Sequence, residues 1–295
     1  MPNSPKPSQL ELFGIESLEA APPRESEDEA PAPAPLQLTF FEPAVGLRGE
    51  WRRALASLDF EGARRMILAA GPLDASAVEE LELAESLLAR FKSLHDALPD
   101  ANEALAALVS ELPKWLVPGA HRRLAALAAE LGRDLGEASS GRHLDLAGES
   151  AEATAVLRRE LLDRPGHPRL LSHLGDAYFR TNDADAARQA YLAAALGGAS
   201  LVSVADLEVA DLEERATVVY EVRGDAAGWV PAVGIVEGVF ARGLFPDVQP
   251  TSEGLRFFQG LVLERRARTH AERVAVRRAL LKSNPRLFER YLETL

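Results

Sequence analysis

From Trp51 to the end of the chain, apolar residues recur three and four positions apart, a spacing that fits helices laid against a core. Between Asp74 and His95 it sets Val78, Leu81, Ala84, Leu88 and Phe91 on one stripe. Ser76-Ala77-Val78-Glu79 has the form of a capping box opening that helix. Asp100-Ala101-Asn102-Glu103 opens another, which runs through Leu105, Leu108 and Leu112. Pro113 and Pro118-Gly119 break the pattern, and Arg122 to Leu131 resumes it before Gly132. Ala and Leu supply most of the 47% hydrophobic content, and runs of β-branched residues are scarce. The expected class is therefore all-α, with short antiparallel helices joined by short loops.

Within that pattern Leu171, Leu174, Gly175, Tyr178, Ala187, Tyr191 and Ala194 sit at the offsets of the tetratricopeptide repeat, which this segment resembles. The resemblance implies a helical hairpin in which Gly175 and Ala187 permit close approach while Tyr178 and Tyr191 fill the space beside them. One period earlier, Gly141, Leu144, Ala153, Leu157 and Pro165 form a degenerate copy that departs at Glu137, Ser140 and Glu160. Leu58 to Ile67 resembles the second helix of a third copy. The implied body is a tetratricopeptide-like solenoid of α-α hairpins over residues 47–200, followed by a helical region over 201–295.

Val204 to Val222 reads as helical. Gly224 to Gly254 is rich in Gly and Pro and reads as close helix packing plus a long loop, with a ligand-lining loop near Trp229 as the other reading. Ser252 to His270, Ala271 to Ser283, and a helix with Asn284 as cap and Pro285 at its first position close the chain. Arg256 to Leu295 holds ten basic and four acidic residues, against a net charge of −12 for the whole chain. Arg273 with Arg277, and Arg278 with Lys282, make a basic band at helical spacing. That band fits a phosphate backbone, an acidic protein surface, or internal pairing with Glu264 and Glu272.

Little here points to catalysis. The chain has no cysteine, which removes disulfides, thiolate metal sites and a thiol nucleophile. It has no phosphate-binding loop of the Gly-x-x-x-x-Gly-Lys type, and none of its six histidines forms the i,i+4 pair of a helical metal site. Glu79, Glu80, Glu82 and Glu85 read as a solvated helix face. No catalytic residue, metal or cofactor is expected. The start lacks a signal peptide and no apolar run is long enough for a bilayer, so the expectation is a cytoplasmic protein without membrane contact.

Residues 1–46 differ in kind. Nine of the nineteen prolines fall in the first fifty residues, beside the acidic run Glu25-Ser26-Glu27-Asp28-Glu29, and such a segment is expected to be disordered. It carries two apolar islands, Gln9-Leu10-Glu11-Leu12-Phe13 and Gln37-Leu38-Thr39-Phe40-Phe41. The first closely resembles the pentapeptide by which bacterial replication and repair proteins bind the β sliding clamp. The second keeps Gln37, Leu38 and Phe41 but has Phe40 where that motif has Leu, and Phe40 and Phe41 could instead cap the first helical pair. The resemblance implies a protein-binding adaptor recruited to replication or repair sites. The rivals are a helical adaptor with no link to DNA, whose tail docks on itself or on another protein, and an enzyme with an unfamiliar site near Trp229.

Overall fold

The computed structural model describes residues 43–295 apart from 72, 199–200, 202–203 and 242–248. Every named element is helical. One isolated bridge between Leu135 and Ala138 is the nearest approach to β structure, and there is no strand among the described residues. The described chain forms two compact units, divided between Ser139 and Ser140. That division falls within residues 47–200, which the sequence reading treats as one helical-repeat region.

The first unit comprises α1 (Pro43–Ala56), α2 (Phe60–Ala69), α3 (Ala75–Ala97), α4 (Ala101–Leu108) and α5 (Val117–Leu131), with a 3₁₀ turn over Val109–Glu111. Neighbours in sequence pack as neighbours in space, and α5 returns to α1. Trp51, Leu55, Phe60, Ile67, Leu108, Leu116, Leu124 and Leu135 fill its core.

Several starts and stripes differ from the sequence reading. The cap of α3 is Asp74, whose carboxylate accepts from the Ala77 amide; Ser76 already lies inside the helix. Its buried stripe is Ala77, Glu80, Ala84 and Leu87, and Val78 is 40% exposed. Pro118, expected to break the chain, sits in the first turn of α5, where its missing N–H is of no consequence. Asp100 does cap α4, accepting from Asn102 and Glu103 amides, and Gly132 ends α5 in the left-handed conformation.

The second unit contains α6 (Ser140–Leu146), α7 (Ser150–Asp163), α8 (Pro168–Arg180), α9 (Ala184–Leu196), α10 (Leu207–Ala210), α11 (Leu212–Val218), a 3₁₀ turn Ala227–Trp229, α12 (Val230–Val236), α13 (Glu253–Arg266), α14 (His270–Ser283) and α15 (Pro285–Glu293). Successive helices pack in pairs from α6 to α9 and again from α11 to α15, with α12 also against α9 and α15. Thr269 opens α14 with a reciprocal capping box to Glu272. Asn284 caps α15 with Pro285 in the first turn, as its sequence indicates.

Gly224 to Gly254, read as close helix packing plus a long loop, holds a buried helical segment, and residues 242–248 of it lie outside the described residues. Trp229 is buried against Phe257, with ring centroids 5.5 Å apart, and every residue of α12 is buried. The glycines serve contact: a Cβ on Gly254 would strike the backbone of Gly228, and one on Gly234 would strike the Phe240 ring.

Candidate functional site

Three hairpins, α1–α2, α6–α7 and α8–α9, turn in the same way. A residue with positive φ (Leu58, Gly148, Asn182) is followed by the capping position (Asp59, Glu149, Asp183). The amide of that capping residue bonds back to Ala54, Leu144 and Tyr178 respectively, at 2.9, 3.0 and 2.9 Å. Its carbonyl then accepts from Ala63, Ala153 and Ala187, each fully buried. Leu58 and Asn182 hold a conformation that glycine adopts more readily, because the turn requires it.

Of the seven residues picked out as repeat packing, Leu171, Leu174, Gly175, Ala187, Tyr191 and Ala194 are buried between α8 and α9, and Tyr178 is half-buried at the edge. A Cβ on Gly175 would lie 2.5 Å from Tyr191 Cε1, and one on Gly141 would lie 2.5 Å from Leu157 Cγ. The same small-against-large contact therefore recurs in both hairpins. The departures of the earlier copy have local causes. Asp134 corresponds to Pro168, yet α6 begins only at Ser140, after left-handed Gly136 and Glu137. Glu160 turns its carboxylate to the Gly141 amide, 3.2 Å away, at the start of that shortened helix.

A buried acid network, not anticipated from sequence, joins these hairpins. Asp176 accepts from the Tyr191 hydroxyl at 2.7 Å, the Ala205 amide at 2.9 Å and Arg142 at 2.6 Å. Asp145 accepts from Ser150 at 2.9 Å and Arg142 at 2.8 Å, and also pairs with Arg180. Both carboxylates are almost wholly buried, and their partners satisfy them.

Burial, then the charge of Asp176 beside it, pushes the Tyr191 hydroxyl well above the ordinary tyrosine range. In the unfolded chain this tyrosine ionises near pH ~10. Its contribution to stability is therefore complete below that value and is lost as pH rises beyond it. Tyr191→Phe removes this dependence, so its melting temperature should fall less steeply than wild type between about pH 10 and 12. Parallel slopes would show that Tyr191 carries no alkaline linkage.

The basic C-terminal band divides in two. Arg277 pairs with the buried Glu264 carboxylate at 2.7 Å, Arg273 lies 3.8 Å from it, and the Tyr291 hydroxyl donates to it at 2.9 Å. Glu272, expected to pair with an arginine, instead accepts from the Arg268 and Thr269 amides, which lower its pKa. Arg256, Arg278 and Lys282 are exposed, and among the described residues they have no acidic partner. Arg256 and Lys282 flank an open groove of about 490 Å³ between α13 and α14, floored by Phe257, Gly260, Leu263 and Leu280.

The carboxylate run on α3 is also only partly solvated. Glu80 is buried and receives the Trp51 indole N–H and the Arg52 guanidinium, while Arg52 stacks over the Trp115 ring at 5.9 Å. No group of three or more metal-ligating side chains occurs among the described residues, nor does any of their helices have the length and apolarity to cross a membrane. Gln9, Leu10, Leu12, Phe13, Gln37, Leu38, Phe40 and Phe41 lie outside the described residues, as does nearly all of the segment expected to be disordered. No protein-family model, no curated protein and no solved structure matches this chain.

Proposed function

We propose that this chain is a non-enzymatic adaptor that engages the bacterial sliding clamp through Gln9-Leu10-Glu11-Leu12-Phe13 and holds another protein with its helical body. The observation that carries this reading is the pentapeptide itself. The Gln9 amide would fix register, while Leu12 and Phe13 fill an apolar pocket and Glu11 occupies the variable position. Gln37, Leu38, Phe40 and Phe41 form a second contact that adds affinity when two pockets of one oligomeric clamp are in reach.

For the body, the shared turn of the three hairpins and the recurring contacts of Gly141 with Leu157 and Gly175 with Tyr191 support a tetratricopeptide-like array. Stacked hairpins of this kind present an extended protein-binding surface, and the cytoplasm is where a clamp would be met.

Retention of the intact chain on immobilised clamp tests the recruitment step. Wild type and Glu11→Ala should be retained equally, Gln9→Ala weakly, and the Leu12→Ala/Phe13→Ala double variant not at all. Equal retention of all four would show that this segment does not recognise the clamp.

A further inference from the structure

We propose that the groove between α13 and α14 is the docking site of the chain's own Gln9–Phe13 segment. The groove has an apolar floor, in which Leu263 is 48% exposed, and a rim on which the cations Arg256 and Lys282 outnumber the one carboxylate, Glu253, which accepts from Ser283 at 3.3 Å. Gly260 contributes to its depth: a Cβ there would already lie 2.6 Å from Leu280 Cδ2. A phosphate backbone has no use for such a floor, whereas a peptide with bulky apolar side chains and flanking carboxylates matches floor and rim together.

The N-terminal segment has that chemistry. Leu10, Leu12 and Phe13 supply the apolar groups, with Glu11 among them. Between Phe13 and Pro43 the chain carries seven carboxylates and one cation, Arg24. Those twenty-nine residues form a tether of up to about 100 Å when extended. Tethering makes the encounter intramolecular, so a contact too weak to hold a free peptide is populated in the intact chain. The docked state covers Leu12 and Phe13, and would withhold them from any other partner. The inference stands apart from the clamp reading, because a tail that docks here and meets no clamp satisfies it.

The chain's lack of cysteine makes a direct test available. Spin labels on Ser8→Cys and on Ala275→Cys, exposed on α14, report the separation of tail and groove in the full chain. The two helices are each about 21 Å long, so docking should give a narrow population within about 30 Å. Charge reversal at Arg256→Glu/Lys282→Glu, and separately Leu12→Ala/Phe13→Ala, should lower the docked-to-free ratio about tenfold or more. Circular dichroism confirms that each variant keeps its helices. A broad distribution in the parent chain, unmoved by either variant, overturns the inference. So does a narrow population that vanishes on dilution with unlabelled chain, which assigns the groove to a second copy. A broad distribution joined with loss of oligonucleotide binding on charge reversal overturns it in favour of a phosphate surface.

Discussion

Asp176→Ala should destabilise the second unit by about 3–5 kcal/mol in urea or thermal unfolding, the range for removing one side of a buried charged pair. The carboxylate is 2% exposed and serves three donors: Tyr191, Arg142 and the Ala205 amide. Alanine leaves a buried hydroxyl and a backbone N–H without acceptors, and takes one of its carboxylate partners from Arg142, which keeps its bond to Asp145. Asp176→Asn keeps an acceptor oxygen for Tyr191 and Ala205 and should cost about 1–3 kcal/mol, chiefly at Arg142. A loss below about 1 kcal/mol for the alanine variant would mean that water or a rearranged Arg142 replaces the network.

Gly175→Leu acts at the same place by steric means. Leucine has the better helix propensity, by up to ~0.8 kcal/mol. Its Cβ, however, would meet the Tyr191 ring at 2.5 Å, and that ring is fully buried and tied to Asp176. Overpacking should win, for a net loss of about 1–3 kcal/mol. Gly49→Ala is the control, since nothing lies within 4 Å of a Cβ there in the middle of α1. It should stabilise by about 0.5–1 kcal/mol. A raised melting temperature for both variants would remove Gly175 from a helix crossing.

The contrast between these two sites shows what the sequence could reveal. Helical period and local caps were legible: α15 begins at Asn284-Pro285 because cap and first-turn proline act within a few residues. Gly175 was legible through its repeat offset. Asp176 was not, because its partners Arg142 and Tyr191 lie 34 and 15 positions away. One signal was present: Arg142 and Asp176 occupy equivalent positions of successive repeats, where opposite charges can meet. The stripe of α3 was misread for a related reason. Its buried face includes Glu80, whose partners Trp51 and Arg52 come from α1, so counting apolar residues moved the stripe toward exposed Val78. Close helix packing was legible around α12, but its bounds were not, because it is buried all round and shows no amphipathic period. The clamp-like pentapeptide is a purely linear signal, readable without any fold, and its test is correspondingly independent of the body.

Titration calorimetry of a peptide covering residues 1–46 against a bacterial sliding clamp is the most direct measurement of the recruitment claim. Ordering a short free segment costs entropy, so the wild-type peptide should bind with a Kd on the order of micromolar. Truncating Leu12 and Phe13 to alanine should cost about 1.5–3 kcal/mol for each buried side chain and remove measurable binding, while Glu11→Ala leaves the affinity unchanged. A wild-type peptide that gives neither heat nor competition at concentrations roughly a hundredfold above that Kd would contradict the account.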